Sequence, residues 1–145
     1  MNVRKVFYCI TQKYSNMKVF LGGTCNNSTW REKLIPNLKM DYFNPVVPIW
    51  DEQAQLIEIK EKDTADFLLF VITPLMSGVY SIAEVVDASN KKPKNTILCI
   101  LDEDSKKWTK SQRDSLSAVE NLVQSNGAFV FNNLEDTTAF LNQYY

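Results

Sequence analysis

Histidine is absent from all 145 residues. That absence removes Ser-His-Asp and Cys-His catalysis, together with the commonest zinc sites. Cysteine is scarce: Cys9, Cys25 and Cys99 are odd in number, far apart, and set in apolar or loop surroundings. Neither a disulfide framework nor a metal-ligand spacing is present, so no metal and no cofactor is expected. Acid–base or nucleophilic chemistry must then come from carboxylates, tyrosine, lysine or cysteine. An excess of one charge is also lacking, with 16 Lys and Arg against 17 Asp and Glu and a net charge of −1. Such a balance gives no basic footprint for a phosphate backbone, so nucleic acid is not the expected partner. No run approaches the ~20 apolar residues of a membrane span. The opening MNVRKVFYCITQKYS has neither the apolar stretch nor the small-residue cleavage site of a secretory signal. The expectations that follow are a cytoplasmic location and no membrane partner.

Apolar material is plentiful: 45% of residues are hydrophobic, with 8 Phe, 6 Tyr and 3 Trp. This is enough for the core of one domain in a chain too short for two. Met17 begins a second opening, MKVFLGG, so residues 1–16 read as an N-terminal extension or arm and residues 17–145 as the domain. From there, short apolar runs alternate with longer amphipathic ones, the pattern of βαβ units. Strands are predicted at Lys18–Leu21, Asn44–Ile49, Phe67–Ile72, Thr96–Leu101 and Ala128–Phe131. They show little polar alternation, as expected of parallel strands covered on both faces. The first predicted helix runs from Ser28 to Met40, capped by Ser28 or Thr29 and broken near Pro36. The others are Asp51–Thr64, Val79–Asn90, Ser111–Ser125 with its Asn126-Gly127 stop, and Leu134–Tyr144.

Strict alternation of strands and helices predicts an α/β fold. It is a single doubly wound five-stranded parallel sheet, flavodoxin-like, with strand order 2-1-3-4-5. Ligands of such sheets bind beyond the carboxyl ends of the strands, near the reversal of strand order. Three loops compete for that place: Gly22–Ser28, Trp50–Glu52 and Thr73–Ser81. The usual occupants of this architecture leave marks that are missing. Gly22-Gly23-Thr24 is not followed by Gly-Lys-Ser/Thr, and no G-x-G-x-x-G opens the first helix. The acidic pair of a phospho-receiver and a hydroxyl-rich flavodoxin loop are absent as well.

A particular combination remains: KVFLGGT at the first strand, WR opening the first helix, FNPVVPIWDE, then Glu58 ahead of Ala65-Asp66, and finally VITPLMSGVYSIAEVVDAS. Together these resemble the nucleoside 2-deoxyribosyltransferase superfamily, most closely its compact phage and bacterial branch, over residues 17–142. The resemblance implies a nucleophilic glutamate early in the helix after the third strand, the place of Glu84. It also implies an acidic helper, matched by Glu58, and a homo-oligomer. A carboxylate beneath C1′ can trap an oxocarbenium-like centre as a glycosyl ester, while a second carboxyl group assists the departing base. Where such transferases often carry an Asp before the nucleophile, this chain has Gly78, next to Ser77. Related deoxynucleoside monophosphate hydrolases use a serine there to bind phosphate, so transfer and hydrolysis both stay open. A nucleotide-binding module without turnover is the reading from a different class. The partner in every case is a small nucleoside or nucleotide.

Each residue also has an ordinary reading. On helical spacing, Val79, Ile82, Ala83 and Val86 form an apolar face with Glu84 about 140° from its centre, the setting of a solvated glutamate. Glu58 belongs to a charged run that pairs along a helix, as Glu58 with Lys62. Asp51 either meets substrate or favours the first turn of its helix. Asp66 orders the start of the third strand. Trp50 stacks on a base or packs in a core or interface. Gly22, Gly23 and Thr24 admit a sugar or phosphate to the backbone, or form a tight turn. Arg31 meets a 5′-phosphate or lies on the surface. Tyr80 and Ser81 line the loop.

Overall fold

Residues 16–25, 27–102 and 105–145 are described by the computed structural model, so the expected extension lies outside the described residues except for Asn16. Five strands form one parallel sheet: β1 (Lys18–Gly23), β2 (Asp41–Phe43), β3 (Phe67–Ile72), β4 (Thr96–Ile100) and β5 (Phe129–Phe131). Their order is β2-β1-β3-β4-β5, as the alternation predicts. The chain leaves β1 for one neighbour, β2, and returns on the other side as β3. The topological switch therefore falls between β1 and β3, whose register pairs Val19 with Phe67 and Gly23 with Val71.

Alternate residues of each strand feed two separate cores. Val19 and Leu21 join Phe67, Leu69, Val71, Ile97 and Cys99 on one face. There they meet Trp30 and Leu34 of α1 (Trp30–Leu34) and Leu141 of α5 (Leu134–Asn142). Phe20, Leu68, Phe70, Ile72, Leu98 and Ile100 occupy the other face. Val85 and Ala88 of α3 (Tyr80–Lys91) and Leu116 and Val123 of α4 (Lys110–Ser125) cover them. All six residues of β3 are buried, and each buried Leu, Ile, Val or Phe contributes about 1.5–3 kcal/mol. Both ends of α4 are specified locally. Thr109 and Gln112 form a reciprocal capping box, and Gly127 takes a φ of +97° just beyond the helix.

The helix α2 (Glu52–Thr64) is different: none of its residues is buried. Leu56, Ile57 and Ile59 are exposed, as are Val46, Val47, Ile49 and Trp50 in the segment leading to it. No helix among the described residues is long and apolar enough to cross a membrane.

Two expectations are corrected. The second strand is Asp41–Phe43 rather than Asn44–Ile49. Pro45 and Pro48 lack the N–H groups that a ladder needs, and Asn44 Oδ1 accepts from Val46 N at 3.1 Å, which turns the chain. The first helix keeps only Trp30–Leu34 before a 3-10 turn at Ile35–Asn37, where Pro36 removes a donor. Thr29 stands at its N-cap without a capping side-chain hydrogen bond.

Candidate active site

Gly22 and Gly23 end β1 against β3. Gly23 has φ +115°, and a Cβ added there would lie 2.0 Å from the Val71 carbonyl oxygen. Gly22 lies over the rings of Phe70 and Phe20, and a Cβ there would come within 2.8 Å of Phe70. The pair is thus required by close approach inside the sheet, while its open side borders the cleft. Thr24 locks the turn that follows. Its amide donates to Val71 O at 2.9 Å, and its Oγ1 accepts from Thr73 N at 3.0 Å.

Arg31 is not a surface arginine, although it lines the cavity that holds Glu58 and Glu84. It is buried, its Nε and Nη2 donating to Leu21 O at 3.2 and 2.8 Å and its Nη1 to Thr24 O at 2.8 Å. Trp30 Nε1 reaches the same Thr24 carbonyl at 2.9 Å, and the guanidinium lies 4.2 Å from the centre of the Trp30 ring. Burial pushes this guanidinium below its ordinary value, and Cys25 and the charge of Glu58 oppose the shift. These three bonds order the β1 loop.

Glu84 occupies the second turn of α3, and its setting corrects the helical-face expectation. Val85, Ala88 and Ser89 are buried, and Ile82 and Val86 of the expected face pack against the core, whereas Val79 is 72% exposed. Glu84, one turn before Ala88 and so about 40° from it, lies on the edge of the core face. Its side chain is only 12% exposed and accepts from Lys62 Nζ at 2.6 Å. Lys62 in turn sits one helical turn after Glu58 on α2, on the same face. Burial pushes the Glu58 carboxyl above its usual range and the charge of Glu84 adds to this, against Lys62 and Arg31. For Lys62, burial alone would lower the ammonium. The hydrogen bond and charge of Glu84, with contributions from Glu58 and Tyr80, together outweigh it and raise the value.

Glu58 and Glu84 line one cavity of about 370 Å³, with Gly22 and Gly23 at the end of β1. Its apolar wall is Pro45, Val46, Val47 and Trp50, with Tyr80 and Ser81 at the α3 side. Trp50 is 57% exposed, so its ring faces open space and is no core tryptophan. A second cavity of about 310 Å³ adjoins it through Gly23, Cys25, Tyr80 and Ser81, and contains Thr24, Ser77 and Gly78. Asp51 lines neither cavity; its carboxylate caps α2 by accepting from Ala54 N at 2.8 Å. Asp66 Oδ2 accepts from Lys18 N at 2.8 Å and joins the start of β3 to β1. Cys25 lies in the expected β1 loop and Pro45–Val47 in the FNPVVPIWDE segment, but the sequence pattern assigns neither a role there. Lys62, which reaches the site through Glu84, is signalled only by its one-turn spacing from Glu58.

Two carboxyl groups beside a flat apolar wall, with the proton affinity of Glu58 raised, can attack and protonate opposite ends of one bond. A family model described as nucleoside 2-deoxyribosyltransferase like matches residues 16–103, more than half of the chain. The matched stretch runs from β1 through β4 and contains every residue of the larger cavity. No curated protein and no solved structure matches the chain significantly.

Proposed function

The chain belongs to the nucleoside 2-deoxyribosyltransferase-like family, and from that premise we propose that it transfers a deoxyribosyl group between nucleobases through a glycosyl-Glu84 intermediate. The observation that carries this reading is the meeting of Glu58 and Glu84, from two different helices, in one cavity opposite Trp50. A Glu84 oxygen attacks C1′, and the C1′–N bonding pair leaves with the base. Glu58, whose carboxyl holds its proton above the usual range, gives that proton to the departing base. An incoming base then reverses the sequence, losing its proton to Glu58 as it displaces the ester oxygen. Trp50, Val46 and Val47 offer the apolar surface on which either base stacks.

A second reading is favoured by the neighbouring cavity. Ser77 and Gly78, at the entrance to α3, would take the 5′-phosphate of a nucleotide, with water as the acceptor. Incubation of a panel of deoxynucleosides and their monophosphates, with and without a second free base, separates the two. A new nucleoside supports transfer; sugar and base alone support hydrolysis. Saturable binding without any product would leave only a binding module. Glu58→Gln is expected to slow base departure about 10²–10³-fold in either reaction. An unchanged rate would return Glu58 to the helix surface.

We also read the exposed Ile49, Leu56, Ile57 and Ile59 as an interface between copies of this chain, continuous with the apolar wall of the site. Sedimentation at micromolar concentration checks this. A monomer throughout would remove the oligomer from the proposal.

A further inference from the structure

Lys62 pairs with Glu84 and stands one turn from Glu58, yet the reaction above gives it no task. Its ammonium is 25% exposed and bonded to Glu84 at 2.6 Å across the gap from α2 to α3. It also stands one turn from Glu58, on the same side of the same helix. The other charged groups nearby are committed elsewhere. Lys91 pairs with Asp87 at 2.8 Å, Lys92 donates to Asp63 O at 3.0 Å, and Arg31 serves the β1 loop carbonyls. Tyr80 faces Lys62 from the start of α3, and the Phe20 ring of β1 lies 6.0 Å from its ammonium.

We propose that Lys62 is a positioning residue that acts as counter-ion to Glu84 before the glycosidic bond breaks and to Glu58 afterwards. This rests on the reaction proposed above. In its first half, Glu84 begins as a carboxylate and ends as a neutral ester. Glu58 begins as a neutral acid and ends as a carboxylate, its proton now on the base. One negative charge faces Lys62 at the start and one at the end, on a different side chain. A cation bonded to one carboxyl and one helical turn from the other, whose charge it already feels, lets the charge change place with little reorganisation. Before reaction, the same bond aims a Glu84 oxygen and restrains its rotation.

The test compares Lys62→Met and Lys62→Arg with the unaltered protein in base release, using far-UV CD and melting to check folding. Lys62→Met is expected to lower kcat about 10²-fold with KM nearly unchanged, and Lys62→Arg to recover most of that loss. The limb of the pH profile set by Glu58 should move to higher pH in Lys62→Met, because its carboxyl keeps its proton longer without the ammonium. Carboxyl ¹³C titration of Glu58 reads the same coupling without turnover and should show its midpoint rising. A folded, active Lys62→Met protein with normal kcat and that limb unmoved overturns the role of Lys62 alone. A loss that Lys62→Arg does not recover, with limb and titration unmoved, overturns it equally. An unaltered protein that releases no base overturns the reaction, and this role with it.

Discussion

Glu84→Ala is expected to lower base release by at least about 10⁴-fold while leaving the fold in place. The expectation has a chemical part and a structural part. Without the carboxylate no glycosyl ester forms, and no histidine exists anywhere in the chain to substitute as a base. The core contacts of α3 come from Val85 and Ala88, with Ile82 and Val86 packed beside them, and the substitution replaces none of these. What is lost structurally is the 2.6 Å pair with Lys62. The ammonium keeps some contact with water and the charge of Glu58, so the cost should be about 1 kcal/mol. Base release followed by chromatography, alongside far-UV CD and a melting curve, separates the two parts. A folded variant that still releases base near the original rate would end the assignment of Glu84 as nucleophile.

Gly23→Ala should have the opposite profile, destroying the fold before chemistry can be asked about. The residue combines φ +115° with a Cβ position 2.0 Å from a backbone oxygen of β3. Neither neighbour is a flexible side chain, so the β1–β3 pairing itself would have to open. A left-handed backbone at a non-glycine residue costs about 1–3 kcal/mol. With the clash added, a loss of about 4 kcal/mol or more is expected, a large part of the stability of a domain this size. Gly78→Ala is the control: an added Cβ there meets nothing within 4 Å, and its effect on unfolding should stay within about 0.5 kcal/mol. Urea denaturation of the two variants gives the comparison. A Gly23→Ala protein as stable as its Gly78→Ala counterpart would show that β1 and β3 can separate without penalty.

The sheet was legible because β3 and β4 announce themselves. Phe67–Ile72 and Thr96–Ile100 are continuous apolar runs, and only strands buried on both faces require that composition. β2 was misplaced for the converse reason. Asp41-Tyr42-Phe43 is a short edge strand with little burial, whereas the more apolar PVVPI segment beyond it is kept out of the ladder by its two prolines. The position of Glu84 along the chain followed from the family resemblance, but its environment did not. Helical spacing shows which residues share a face, and only packing decides which face turns inward. Here Ala88 and Val85 turn in and Val79 does not, which draws Glu84 to the edge of the core. Arg31 escaped for a related reason. Its partners, Leu21 O and Thr24 O, are main-chain groups, and no pattern of side chains records where carbonyls will converge. Lys62 was visible as a partner for Glu58 along one helix. That it also reaches across to α3 depends on how two helices lie together.

The two helices that bear the carboxyls are anchored very unequally. α3 is sewn into the interior through Val85, Ala88 and Ser89, while α2 buries none of its side chains. Within one chain, one side of the cleft is therefore held by the core and the other by polar contacts, those of Lys62 and of the cap at Asp51. In the proposed reaction the sugar meets the anchored side, and the base meets the side whose apolar residues a second copy would cover. The range of nucleobases accepted would then depend on assembly as well as on the cleft of a single chain.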